Sequence, residues 1–99
     1  MRSYILSNQA KEDLASIWGY TYKTWSEDQA DKYVDTLFSY FKLLLEQPQI
    51  GKSLHSSMLN LLQFLAESHL VFYRTRIDGI EIVRVLHKST DYLSHIDLS

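Results

Sequence analysis

The side chains with chemistry to offer are four histidines and a group of basic residues, Arg74, Arg76, Arg84 and Lys88, near one turn. His55, His69, His87 and His95 sit in different local settings without tight ligand spacing, and no cysteine accompanies them, so no metal site or other cofactor is indicated. His69 and His87 fall near each other at the base of a predicted strand pair, one residue out of direct register, with Tyr92 beyond. They have the atoms of an acid–base pair. Cutting a phosphodiester would also need cationic stabilisation, so both imidazoles read as hydrogen-bonding groups at strand ends and no residue reads as catalytic. Tyr73 and Arg84 are expected to face each other as a stacked cross-strand pair, with Arg74 solvated on the other face. A sharper reading makes Arg74, Arg76, Arg84, His87 and Lys88, together with Tyr73, a surface that engages a partner.

These residues are positioned by the stretch Ser68 to His87, S-H-L-V-F-Y-R-T-R-I-D-G-I-E-I-V-R-V-L-H, which reads as two antiparallel strands about Asp78-Gly79. With those two residues as the loop, Ile77 faces Ile80, Arg76 faces Glu81, Thr75 faces Ile82, Arg74 faces Val83, Tyr73 faces Arg84, Phe72 faces Val85 and Leu70 faces His87. One side then collects Val71, Tyr73, Thr75, Ile77, Ile80, Ile82, Arg84 and Leu86, and the other Leu70, Phe72, Arg74, Arg76, Glu81, Val83, Val85 and His87. Both sides are apolar near the base and charged near the turn. The hairpin is therefore expected to be covered on both sides at one end, with a projecting tip.

Upstream, Ser3 to Leu6 reads as a short strand and Ser7 or Asn8 as a helix cap. Ala10, Leu14, Ile17, Trp18 and Thr21 recur at helical spacing, and Trp25 continues the stripe. Ser26-Glu27-Asp28-Gln29 is a capping box that opens a second helix, whose stripe is Ala30, Tyr33, Val34, Leu37, Phe38, Phe41, Leu44 and Leu45; Pro48 ends it. Two such helices joined by a turn form an antiparallel hairpin. Trp18 and Trp25 are expected in its core, although Trp25, at the turn, is also a candidate for partner contact. Pro48 to Ser57 reads as loop. Met58 to Leu65 suits helix or strand and is taken as strand, because a lone hairpin is marginal in water; Ala66-Glu67-Ser68 is then the connection. After His87, Lys88 to Asp91 breaks the strand, and Tyr92, Leu93 and Ile96 could make one helical turn. The order β-α-α-β-β-β plus a short tail makes an α+β fold, a helical hairpin on a mostly antiparallel sheet.

Composition narrows the function. Ninety-nine residues, 45% hydrophobic and 13% aromatic, suit one domain over residues 1–99 with a core that needs neither metal nor disulfide. No stretch is long enough to span a membrane and no export signal is evident, so a cytoplasmic location is expected. A formal charge of −2 disfavours direct grip on a phosphate backbone. Thirteen aromatics, seven Tyr, four Phe and two Trp, are many for one thin core, so some should await a partner. A homodimer using that patch is the alternative.

Several segments together, Y-I-L-S-N-Q-A-K-E-D-L-A-S-I-W-G-Y-T, W-S-E-D-Q-A-D-K-Y, Q-P-Q-I-G, S-H-L-V-F-Y-R and D-G-I-E-I-V-R-V-L-H-K-S-T-D, make the chain from Tyr4 to Asp91 similar to ParE, the toxin of ParDE-type toxin-antitoxin systems in the RelE/ParE superfamily. The resemblance implies a toxin neutralised by a ParD-like antitoxin that wraps across helices and sheet. DNA is then reached only indirectly, through the antitoxin's ribbon-helix-helix half. It also implies DNA gyrase as the target, blocked by binding and not by hydrolysis. RelE-type relatives instead cut messenger RNA on the ribosome. Two positions depart from these patterns. Leu70 stands where many nucleases of the fold carry a basic residue after the S-H or E-H pair, and Leu cannot stabilise developing phosphorane charge. Leu61-Leu62 stands where ParE proteins commonly have L-R, which keeps open a degenerate toxin that only binds its antitoxin.

Overall fold

The computed structural model describes residues 2–54 and 60–91. Strand β1 (Ser3–Leu6) leads into helix α1 (Asn8–Thr24), then α2 (Glu27–Glu46), a 3-10 turn at Pro48–Ile50, the two-residue strand β2 (Lys52–Ser53), and β3 (Leu62–Ala66), β4 (His69–Arg76) and β5 (Gly79–His87). The five strands are ordered β1-β5-β4-β3-β2; all neighbours are antiparallel except β1 and β5, which run parallel. This is the expected α+β arrangement of a helical hairpin on a mostly antiparallel sheet.

Both helix starts follow from local chemistry. Ser26 Oγ accepts from the Gln29 amide at 3.1 Å, and Glu27 and Asp28 place negative charge at the positive end of the dipole. Ser7 Oγ accepts from the Ala10 amide at 2.9 Å and donates to the Val83 carbonyl at 2.6 Å. One hydroxyl thus caps α1 and ties it to β5. The stripes meet the sheet: Ala10, Leu14 and Ile17 of α1 and Leu37, Phe41 and Leu44 of α2 are buried against Val71, Tyr73, Ile80, Ile82 and Val85. Each fully buried Leu, Ile or Phe side chain contributes roughly 1.5 to 3 kcal/mol. On the far side of the sheet Leu61, Phe72 and Leu86 are buried with Leu54, Leu70 and Val83. The tip is exposed at Arg76, Ile77 and Asp78.

The hairpin register differs from the expected one. Arg76 pairs with Gly79, so the loop is Ile77-Asp78, and Thr75 faces Ile80, Arg74 faces Glu81 and Tyr73 faces Ile82. Gly79 has φ +146°, and a Cβ there would collide with the Ser3 backbone. The glycine serves the close approach of β1, which the turn motif does not announce. A bulge then intervenes: past Tyr73↔Ile82 the next pair is Phe72↔Arg84, followed by Val71↔Val85, Leu70↔Leu86 and His69↔His87. The extra residue, Val83, resets the alternation. Val85 therefore joins the helix-facing core and Leu86 the far face, the reverse of the expected assignment.

Three further expectations change. The strand expected at Met58 to Leu65 is Leu62–Ala66, preceded by Asn60 and Leu61; Met58, Leu59 and the other residues of 55–59 lie outside the described residues. Its connection to β4 is Glu67-Ser68, with Glu67 in the left-handed region at φ 57°. The segment read as loop from Pro48 contains the 3-10 turn and β2. Trp25 is 73% exposed and so is not a core residue, because it falls at the C-cap of α1, beyond the sheet. Trp18 is half-buried; its Nε1–H donates to Asp31 Oδ1 at 2.9 Å, and its ring stacks on Tyr22 at 5.2 Å. The helical turn expected at Tyr92, Leu93 and Ile96 lies outside the described residues, as do His55 and His95.

Candidate partner-binding groove

The sheet does not bring its basic residues together as free charge. Arg84 forms a two-point ion pair with Asp13 of α1, Nε to Oδ2 at 2.8 Å and Nη2 to Oδ1 at 2.9 Å, and Asp13 Oδ2 also accepts from the Val85 amide at 2.9 Å. The carboxylate beside it holds the Arg84 pKa above its ordinary value. Arg74 pairs with Glu81 at 3.4 Å, and Arg76 with Glu81 at 3.6 Å and Asp78 at 3.9 Å. Lys88 is exposed in the turn after β5. The expected stacking of Tyr73 on Arg84 is absent because the Ile77-Asp78 loop sets Tyr73 opposite Ile82, and the bulge leaves Arg84 opposite Phe72. Tyr73 is instead fully buried, its hydroxyl donating to the Pro48 carbonyl at 2.7 Å, and burial raises its pKa. It is an internal strut and offers no surface to a partner. Gly51 packs so closely on its ring that a Cβ there would overlap the hydroxyl.

The two strand-end histidines are brought together, in direct register and not one residue apart. Their rings meet edge to face with centroids 5.3 Å apart. Tyr33 Oη lies 2.6 Å from His69 Nδ1 and accepts from the Ser68 amide at 3.2 Å. His87 Nδ1 accepts from the Ser89 amide at 3.1 Å and lies 2.7 Å from Ser89 Oγ. The His69 pKa is pushed down to about 4, chiefly by burial and then by His87, with Asp13 opposing. His69 is therefore neutral at pH 7.

These residues line a groove of about 620 Å³ to which α1 and its C-cap contribute Asp13, Ile17, Tyr20 and Trp25, α2 contributes Tyr33, and the base of β4 and β5 contributes His69 and His87. A more open depression of about 440 Å³ shares Thr21, Trp25 and Tyr33 and reaches Lys32 and Glu67. Tyr20 is 70% exposed beside the equally open Trp25. Of the expected surface residues, then, Trp25 and His87 lie on the groove, while Arg74, Arg76 and Arg84 are engaged with carboxylates. Asp13, Tyr20 and Tyr33 are groove residues that the sequence reading did not select, and His69 entered it only as a hydrogen-bonding group at a strand end. Tyr33 was legible as part of a helical stripe, but its hydroxyl's destination depended on a strand 36 residues away. Among the described residues no group of three or more His, Cys, Asp or Glu is placed to hold a metal, and no helix is long and apolar enough to cross a membrane.

Two helices on a mixed five-stranded sheet make the α+β arrangement of the RelE/ParE fold. The family model for the ParE toxin of the type II toxin-antitoxin system parDE matches residues 4–92, and the chain belongs to that family. It is similar to Toxin ParE1 of Caulobacter vibrioides, with 34% identity over 96 residues that cover 97% of this chain and 99% of the relative. Toxin ParE1 of Mycobacterium tuberculosis is 36% identical over 89 residues, covering 89% of this chain and 91% of the relative. A chain from the chromosomal ParDE system of P. aeruginosa has the same fold, with a TM-score of 0.75 at 20% identity over 88% of this chain and 96% of that one.

Proposed function

We propose that this ParE-type toxin acts in the cytoplasm by binding DNA gyrase, without catalysing a reaction, and that a ParD-like antitoxin neutralises it by covering the groove between α1 and the β4–β5 base. The observation that carries the non-catalytic reading is the pairing of Arg74, Arg76 and Arg84 with Glu81, Asp78 and Asp13. Phosphodiester scission needs cationic charge aimed at the developing phosphorane, and these three guanidiniums are turned to carboxylates of the same chain. Leu70, on the opposite face of the sheet from the helices, adds none. The exposed Trp25 and Tyr20 beside an apolar wall are the kind of surface on which a helical or extended segment anchors.

The competing reading, a ribosome-dependent endoribonuclease, is favoured by the Tyr33, His69 and His87 cluster, which has acid–base atoms within reach of one another. A degenerate toxin that only binds its antitoxin is the third. It rests on Leu62, whose side chain packs against the helix-facing core where the family commonly has Arg. Induction of the chain in bacteria separates them. Filamentation with DNA-damage signalling, and loss of supercoiling by purified gyrase, is the expected result. Cleaved ribosome-bound transcripts with supercoiling untouched would replace it with the nuclease, and normal growth with the degenerate toxin.

A further inference from the structure

The bulge in β5 answers a conflict that shows only once the Ile77-Asp78 loop fixes the pairing at the tip. A regular ladder would run on from Tyr73↔Ile82 to Phe72↔Val83, Val71↔Arg84, Leu70↔Val85 and His69↔Leu86. Directly opposed residues share a face, and Val71 is fully buried in the helix-facing core. That ladder would drive the Arg84 guanidinium into apolar packing, where an unpaired charge is strongly destabilising. The extra residue, Val83, shifts the pairs that follow, so Val85 takes the place opposite Val71 and Arg84 stands opposite Phe72.

The start of α1 receives this departure. β1 accompanies β5 only as far as Leu6↔Ile82, so beyond Ile82 the outer edge of β5 has no strand beside it. Ser7 fills the first gap, donating its amide to the Ile82 carbonyl at 2.9 Å and its hydroxyl to the Val83 carbonyl at 2.6 Å. Two successive carbonyls are thus turned to one edge. Asp13 fills the next gap, accepting the Val85 amide with the same oxygen that meets Arg84 Nε. We propose that Arg84 and Asp13 are positioning residues of the groove: charge keeps Arg84 out of the core, Asp13 gives that charge a seat, and the bulged register they hold decides which β5 side chains line the groove. This rests on the reading that a partner polypeptide covers the groove. In the bulged register Val85, Leu86 and His87 line it, with His87 against His69. In the regular one Leu86 would stand opposite His69, and His87 would move on to Ser68. Neither Arg84 nor Asp13 needs to touch the partner to exert this effect.

The test is proton NMR of the free chain, with binding of a co-expressed ParD-family antitoxin measured on the same variants. Val85 gives its amide to Asp13, so Val71 and Val85 are a pair without mutual hydrogen bonds, whose Cα atoms lie about 4.5 Å apart and give a strong Hα–Hα contact. Arg84→Leu removes the charge and lets an apolar residue follow Ile80 and Ile82 on the helix-facing side. It is expected to erase the bulge, so that the Val71 contact moves from Val85 to position 84, and to weaken antitoxin binding about tenfold. Arg84→Lys keeps a cation for Asp13 and is expected to keep the Val71–Val85 contact and an affinity within about threefold of the native chain. Deleting Val83 from the Arg84→Leu variant removes the extra residue and is expected to bring back both the contact and most of the affinity. A Val71–Val85 contact that survives in Arg84→Leu overturns the proposal and leaves the groove reading intact. A contact that moves while antitoxin affinity stays unchanged overturns the groove reading, and the positioning role with it. If Arg84→Leu does not fold, the variant that also lacks Val83 decides: folded with Val71 against Val85 it upholds the proposal, and unfolded it overturns it.

Discussion

Asp13 holds three donors at once, two from the Arg84 guanidinium and one from the Val85 amide, with both charged side chains only 13% exposed. Asp13→Ala removes the acceptor for all three and is expected to lower stability by about 3 kcal/mol, read as a denaturant midpoint shift at unchanged m-value; adding Arg84→Met should recover part of the loss. An unchanged midpoint would remove the ion pair from the account of stability. His69 gives a second expectation. Its pKa is about 4 folded against 6.5 unfolded, so between those values the unfolded chain binds more protons, and stability is complete above pH 6.5 and declines towards pH 4. Unfolding midpoints measured from pH 7 to pH 5 should fall more steeply for the native chain than for His69→Gln, and equal slopes would contradict the burial of the ring. At this scale the sequence was legible where partners are near in the chain: the Ser7 and Ser26 caps are three residues from the amides they accept from. Asp13 and Arg84 are 71 residues apart, and nothing near either one marks the other.

The elements themselves were readable because each declares a period, 3.6 in the two helices and 2 in β4 and β5. Their mutual register was not, because one glycine answers to two demands. Asp78-Gly79 looks like a turn signal, yet Gly79 lies in the ladder opposite Arg76 with β1 pressed against its Cα. The strand displaced by this misreading is then displaced again at Val83, and a single inserted residue has no signature in a run of β-branched side chains. Gly79→Ala is expected to cost about 2 kcal/mol or more and to loosen β1 selectively, since its φ of +146° is strained for any L side chain and the new methyl meets Ser3. Hydrogen exchange at the Ser3 and Ser7 amides, which bond to the Asp78 and Ile82 carbonyls, should accelerate ahead of the β4–β5 ladder. Uniform acceleration would mean that β1 is not separately anchored.

Across the whole molecule, burial divides the aromatic residues unequally. Tyr73, Phe41 and Phe72 are enclosed, while Trp25 and Tyr20 stand open over the groove. The excess of aromatics over core volume was visible in the composition; which of them would be exposed was not, since Trp25 shares the helical phase of buried residues and escapes the core only by lying past the end of the sheet. Trp25→Ala is accordingly expected to leave stability within about 0.5 kcal/mol while weakening antitoxin binding at least tenfold, and the emission of native Trp25 should shift to the blue when the partner covers it. Unchanged affinity would remove Trp25 from the contact surface. The parallel pairing of β1 with β5 has one more implication, for synthesis. The Ser7 hydroxyl waits for a carbonyl 76 residues downstream, so on the ribosome β1 has no seat until β5 has been made. A nascent chain thus cannot close this edge of its sheet until β5 has cleared the exit tunnel, and the toxin fold is completed long after its first helix can form.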